Sequence, residues 1–212
     1  MMILGIDEAG RGCIIGNMFV AGVVCKDKIL NKLRALGVRD SKTLTKEQRK
    51  RLFNIITKLI SKYYIVEVTP SEIDRINLNM LVYNAITSIV SRAILEYRIE
   101  KIYIDQVGTK NKLLHVVRNT GFDGEVIIES KADRKYVIVS AASIIAKVLR
   151  DNHIEKLKRN YGDLGSGYPS DPKTLAWLKE YYNSHGFLPD IVRKTWSTLK
   201  NIAPREYKIK EK

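Results

Sequence analysis

The sequence predicts an α/β fold: a five-stranded sheet flanked by helices, with additional helices toward the C-terminus. Three observations carry this. Apolar runs of strand length recur at Met2–Asp7, Asn17–Val24, Tyr63–Val68, Lys101–Asp105 and Gly124–Glu129. Stretches of helical length lie between them, and two open on capping boxes, Thr45-x-x-Gln48 and Thr69-Pro70-Ser71-Glu72. Val137 to Arg159 has the length and periodicity of one long helix. Strands interspersed with helices make a sheet sandwiched by helices.

The elements follow in order. Gly10, Arg11, Gly12 and Gly16 punctuate the gap between the first two strands as turn residues. The first capping box starts a helix at Lys46 that runs to about Ser61. Tyr63–Val68 is rich in aromatic and β-branched residues and reads as a strand. The second box, with Pro70 at the first helical position, starts a helix that reaches Glu96 and is broken near Asn77–Asn79. Asn111–Asn119 reads as a short helix. In the long helix, Ser140-Ala141-Ala142-Ser143 and Ala146 form a thin face that can approach a sheet closely. Asp171-Pro172 starts another helix, ended by Gly186. A last helix from about Pro189 to Lys200 is expected before a basic tail.

The 212 residues fit one large domain or one domain with an appendage. A hydrophobic fraction of 45% and a charged fraction of 28% are ordinary for a globular chain. The net charge of +14 is not ordinary, and a domain this basic is pre-disposed to a polyanion such as nucleic acid. From charge alone, a basic surface with no defined groove is an equal alternative. Cys13 and Cys25 show no C-x-x-C spacing and no nearby histidine, which argues against structural zinc and against a disulfide framework. Asp7 and Glu8 interrupt any leader-like apolar core, and runs such as Met18–Cys25 fall short of the ~18 residues of a membrane span. A soluble, cytoplasmic protein with no membrane partner is expected.

Chemistry concentrates in the acidic residues. Asp7 and Glu8 are neighbours, and neighbours on a strand face opposite ways. The turn that follows them would let the strand end and both carboxylates converge; a solvated turn is the plainer alternative. Asp105 ends the run Ile102-Tyr103-Ile104 as Asp7 ends Ile3–Ile6, and the carboxyl ends of strands face the ligand crevice in open α/β sheets. Asp133 adds a further position just before the long helix. Carboxylates gathered this way repel one another unless a cation lies between them, and hard Mg²⁺, or Mn²⁺, suits such a set. Two such ions would activate water and stabilise the leaving oxygen of a phosphodiester.

These residues also carry a resemblance. Gly5-Ile6-Asp7-Glu8-Ala9-Gly10-Arg11-Gly12, Asp40-Ser41-Lys42-Thr43-Leu44, Ile104-Asp105, Lys131-Ala132-Asp133, Ser140 to Asp151 and Gly165-Ser166-Gly167-Tyr168-Pro169-Ser170-Asp171 resemble ribonuclease HII, in family order from residue 5 to 171. The resemblance implies an RNase H-like mixed sheet in a single catalytic domain over 1–212, with a core to about 160 and a C-terminal helical extension from about 170. It implies an endonuclease that cuts RNA–DNA hybrids and ribonucleotides embedded in duplex DNA. Its metal ligands and catalytic residues would be Asp7, Glu8, Asp105 and Asp133. It further implies that Gly10, Arg11 and Gly12 lie against the ribonucleotide and that the Tyr168 ring lies against the following deoxyribose.

Ser41 and Lys42 precede a helix start, where phosphate contact is favourable, although a solvated loop lysine is the alternative. For Arg11 the choice is a phosphate or sugar contact against a fold-stabilising ion pair. Lys147 and Arg150 could track the backbone or belong to a solvated helix face. His115, His153 and His185 read as surface or capping residues, and Trp177 and Trp196 as core. The tail Ala203–Ile209 lacks a Gln-containing peptide with paired aromatics, which counts against sliding-clamp docking, and a monomer is expected. The alternatives are a hybrid-binding module that has lost its chemistry and an enzyme like ribonuclease HIII. The latter usually has an N-terminal substrate-binding domain, for which a strand beginning at residue 3 leaves no room.

Overall fold

The computed structural model describes residues 1–39 and 41–210, with Lys42 described by its backbone alone. Five strands form one sheet: β1 (Met2–Ala9), β2 (Met18–Lys26), β3 (Lys62–Val68), β4 (Ile99–Asp105) and β5 (Glu125–Glu129), in the spatial order β3-β2-β1-β4-β5. β2 runs antiparallel to β1, whereas β4 is parallel to β1 and β5 to β4. The helices are α1 (Ile29–Ala35), α2 (Lys46–Leu59), α3 (Pro70–Arg75), α4 (Leu78–Glu96), α5 (Lys110–Arg118), α6 (Ala132–Lys135), α7 (Val137–Tyr161), α8 (Pro172–His185) and α9 (Leu199–Ile202). The expected mixed α/β sheet is present.

Both capping boxes form. Thr45 Oγ1 accepts from the Gln48 amide while Gln48 returns the bond to the Thr45 amide, and Thr69 and Glu72 repeat the exchange. Each satisfies two of the amides that a helix start leaves unpaired. Gly186 closes α8 in a left-handed conformation. One expected helix is corrected: the stretch from Pro189 to Thr198 is turns, irregular backbone and one isolated bridge, and of the expected span only Leu199 and Lys200 are helical, in the short α9 (Leu199–Ile202). Tertiary partners take its backbone groups. Val192 bridges to Ile15, the Arg193 amide donates to the Ile14 carbonyl, and the Lys194 and Thr195 amides donate to the Asp74 carboxylate.

The contacts divide the chain into two compact units. The first holds residues 1–9, 19–66 and 82–149. One face of its sheet, with Ile3, Ala21, Val23 and Cys25, buries against Leu33, Leu52, Ile56 and the first part of α7. On the other face Gly22 lies against Ile89 of α4. α4 is long and apolar enough to cross a membrane by length and composition, and it carries buried residues Ile86, Ile89, Val90 and Ala93. The second unit holds residues 10–18, 67–81 and 150–212. Its core joins Ile14 and Ile15 with Ile154, Leu157, Leu164, Leu178, Leu188, Val192 and Leu199. Trp177 and Trp196 pack against that core, as expected.

The backbone of α7 approaches the sheet closely at Gly5. A Cβ there would stand 2.6 Å from the Ile138 backbone carbonyl, which cannot swing aside as a side chain can. Gly5→Ala is therefore expected to force α7 outward and cost about 2–3 kcal/mol. Thermal melting checks this; a variant that melts with the wild type would show that α7 is free to shift.

Candidate active site

β1 and β4 are in register as parallel neighbours through Ile6 and Ile104, so Asp7 and Asp105 follow side by side and face the same way. Asp7 is only 6% exposed. Its Oδ1 accepts from the Glu8 amide at 2.8 Å. Burial pushes the Asp7 carboxyl up to about 7; the Ser143 hydroxyl and the Lys147 ammonium oppose the rise, and the neighbouring Asp105 adds to it. Asp105 is half-buried, and its Oδ1 accepts from the Ala132 amide at 2.7 Å. Lys131 supplies that geometry. It is the one non-glycine residue with positive φ among those described, at 58°, and its left-handed turn opens α6.

Asp133 sits in α6 and is 3% exposed. Its segment is pinned at both ends: the Ser140 hydroxyl donates to the Asp133 carbonyl, and the Tyr136 hydroxyl donates to Glu129 at 2.7 Å. Lys135 completes the anchor by bonding the same carboxylate. Glu129 is the register partner of Asp105 on β5. It thus ties the loop bearing Asp133 to the strand beside Asp105.

The expectation that β1 ends at Asp7 is corrected. The strand continues to Ala9, and its ladder with β2 includes Glu8↔Val20 and Ala9↔Phe19. Alternation along an unbroken strand sets Glu8 toward the face opposite Asp7. On its other flank, however, the pairing with β4 runs to Ile6, and β4 itself ends at Asp105. Among the described residues no three acidic, thiol or imidazole side chains form a closed metal cage. A buried carboxylate that burial raises this far, beside a second one, is nonetheless the donor chemistry a hard divalent cation fits.

Ser41 is fully buried. Its hydroxyl is 2.8 Å from that of Ser143, and Lys147 Nζ donates to both, at 2.7 and 2.9 Å. Lys147 therefore belongs to neither of the roles expected for it: it turns inward to this hydroxyl pair, next to Asp7. The sequence signal was the i, i+4 spacing of Ser143 and Lys147 on α7, which places them on one side of the helix. Asp40 and the Lys42 side chain lie outside the described residues.

The turn Gly10-Arg11-Gly12 belongs to the second unit, as does Tyr168. Gly10 has φ of 87°, and a Cβ there would meet the Asn17 carbonyl at 2.9 Å, so only glycine makes this turn without strain. The Arg11 side chain bonds the neutral Asn79 amide oxygen, which is not the ion pair weighed as the alternative to a phosphate or sugar contact. Behind the turn stands Arg193, fully buried, whose guanidinium donates twice to the Gly16 carbonyl and once to the Arg11 carbonyl at 3.0 Å. Tyr168 lies on the loop between α7 and α8, as expected, and its ring edge is 3.9 Å from a Cβ built on Gly12. Asn79 and Arg193 carried no motif, and pattern reading missed both. His153 is half-buried, not superficial, and packs against Gly16.

Comparison with known proteins completes the picture. The family model described as Ribonuclease HII matches residues 4–199. A ribonuclease HII of Saccharolobus solfataricus is 45% identical over 210 residues, covering 99% of this chain and 98% of its own. The crystal structure of ribonuclease H2 from Pyrococcus horikoshii superposes with a TM-score of 0.89 at 43% identity, covering 97% of this chain and 99% of the other. A PCNA:RNase HII complex from Archaeoglobus fulgidus gives a TM-score of 0.84 at 40% identity, covering 95% and 96%. With a sheet, a carboxylate pair and near-complete matches all in agreement, the chain belongs to the ribonuclease HII family and is a ribonuclease H, a metal-dependent nuclease.

Proposed function

We propose that this endonuclease hydrolyses the RNA strand of RNA–DNA hybrids and also cuts at single ribonucleotides embedded in duplex DNA, leaving 3′-hydroxyl and 5′-phosphate ends. The observation that carries the reading is the nearly buried Asp7 of β1 beside Asp105, the last residue of the parallel strand β4. Asp7, Glu8, Asp105 and Asp133 would hold two divalent ions, Mg²⁺ or Mn²⁺. Bound there, the ions would supply Lewis acidity to the attacking water and the leaving oxygen. Glu8, which alternation along β1 sets toward the opposite face from Asp7, would have to swing past the end of β4 to join that set.

The chain's own residues do the rest. Ser143 and Lys147 hold the Asp7 carboxylate, and the Ala132 amide holds Asp105. Gly10, Arg11 and Gly12 would test the ribonucleotide through close backbone approach, since amides can bond a 2′-hydroxyl. Lys42 would face the phosphate backbone by its place before α2; Ser41, fully buried with its hydroxyl engaged by Ser143 and Lys147, would support that segment from within. Tyr168 would pack its ring on the deoxyribose after the ribonucleotide, a fit that an extra 2′-hydroxyl crowds. The tail Ala203–Ile209 offers no Gln-containing clamp peptide, so clamp docking like that of the Archaeoglobus fulgidus relative is not part of this reading.

Asp7→Asn and Asp105→Asn are expected to abolish turnover while hybrid affinity, followed by fluorescence anisotropy, is kept or improved. Turnover near wild type in both would end the two-metal assignment. The raised carboxyl of Asp7 also has a consequence for stability. Because its folded value, about 7, lies above the unfolded one, its contribution is fully present below the unfolded value and is lost as pH rises toward 7. In chelator, Asp7→Asn should therefore melt higher than wild type at pH 8, with the gap closing by pH 4. Added Mg²⁺ or Mn²⁺ should raise the melting temperature of wild type more than that of the variant. A variant that melts lower than wild type at pH 8 would contradict this.

Tyr168→Ala should lose roughly ten- to a hundredfold on a duplex with one embedded ribonucleotide, the scale of one aromatic stack, and less on a continuous hybrid. Tyr168→Phe should fall between. Equal losses on both substrates in a fully folded variant would remove Tyr168 from junction reading.

A further inference from the structure

Arg150 is the side chain on which the Gly10–Cys13 turn and the Tyr168 loop converge. Its Nη2 donates to the Ser166 carbonyl at 2.6 Å and lies 3.4 Å from Cys13 Sγ. Its Nη1 bonds Asp151 at 2.7 Å. Its guanidinium carbon stands 4.5 Å from the centroid of the Tyr168 ring. Its aliphatic stem comes within 3.4 Å of a Cβ built on Gly10. The residue is 9% exposed, so neither a solvated helix face nor a free phosphate contact describes it.

The loop that carries Tyr168 is fixed on several sides. The Gly167 carbonyl accepts from the Ile14 amide at 2.8 Å, and the Ser166 amide donates to Asp171. These bonds set the backbone but leave the tilt of the ring to its neighbours. Arg150 supplies that constraint, with its flat cation over the ring and its edge bonded to the loop and the turn. The Tyr168 hydroxyl adds a tie, since the Cys13 thiol is within its hydrogen-bonding reach.

We propose that Arg150, with Cys13 as its partner, is the positioning residue that sets the preference for an embedded ribonucleotide over a continuous hybrid, by locking the Tyr168 ring against the Gly10–Cys13 turn. The inference rests on the reading of Tyr168 given above. Excluding a 2′-hydroxyl by crowding works only if the ring cannot yield. A ring free to rock would admit a ribose and lose the distinction. Lysine at position 150 would keep the charge but lose both the plane and the fork of donors.

The test is a double-mutant cycle read as the ratio of kcat/KM on a single-ribonucleotide duplex to that on a continuous hybrid, with melting of every variant recorded. Arg150→Lys should lower the ratio roughly three- to tenfold, the scale of a desolvated cation–π contact. In the Tyr168→Ala background it should lower it no further, because the ring it positions is gone. Cys13→Val, which keeps volume and drops the thiol, should move the ratio in the same direction, and it carries the cycle if Arg150→Lys fails to fold. If Tyr168→Ala shifts the ratio while Arg150→Lys and Cys13→Val leave it unchanged, the positioning role is overturned and the reading of Tyr168 stands. Losses that multiply in the double variant also overturn it, since they mark a brace acting apart from the ring. No shift in Tyr168→Ala itself would remove the reading of Tyr168, and this inference with it.

Discussion

Keeping the Asp7 carboxylate almost out of water constrains how the rest of the first unit is built. An ionised group in that position is costly unless donors reach it. The donors come from α7, and α7 can supply them only by lying unusually near the sheet. Gly5 makes that possible, since the Ile138 backbone occupies the space a side chain would fill. From that contact, two residues along β1 advance about 6.6 Å to Asp7, and five residues along α7 advance about 7.5 Å to Ser143. One close approach therefore delivers a hydroxyl to the carboxylate. Lys147 follows a turn later and bonds both Ser143 and the buried Ser41, so the segment before α2 is tied to the same point.

Much of this was legible in the sequence because its causes are local. Capping boxes at Thr45 and Thr69, the break near Asn77–Asn79 and the small face of Ser140–Ala146 act within a few residues, and the folded chain repeats them. Asp105 was legible as a strand end for the same reason. The failures have a different origin. Whether β1 stops at Asp7 or runs on to Ala9 depends on Val20 and Phe19, contributed by another strand. Whether Pro189–Thr198 coils depends on Asp74, Ile14 and Ile15, all distant in sequence. Periodicity describes what a segment can do alone, and these two segments are decided by partners.

The same limit hid the arginines. Gly10-Arg11-Gly12 and Tyr168 stand out in the sequence by their motifs, yet nothing local says what keeps them in place. In the second unit that role falls to Arg193 beneath the turn and Arg150 beneath the tyrosine loop. Burial lowers Arg193 to about 10, which still leaves it charged near neutrality. A buried guanidinium is expensive, and here its fork of donors is spent on carbonyls of an irregular turn that has no ladder of its own. Irregular backbone can approach a substrate where a strand or helix cannot, so rigidity has to come from side chains behind it. The cationic excess of the chain thus has an interior component as well as a surface one.

The electrostatics of the carboxylate pair point the same way. Lys147 acts against the rise of Asp7, and Ser143 adds a hydrogen bond, but the carboxyl still lies near 7, with Asp105 working against ionisation. Compensation by the chain is partial. Complete compensation would have left an ordinary ionised carboxylate. Too little would leave the acid protonated, and a protonated carboxyl is a poor ligand for a hard cation. At a value close to neutrality, set by donors on one side and a second carboxylate on the other, an added positive charge beside Asp7 would favour its ionised form. The near-dry setting that raises the carboxyl would also strengthen its hold on that charge, since both effects follow from the same low polarity.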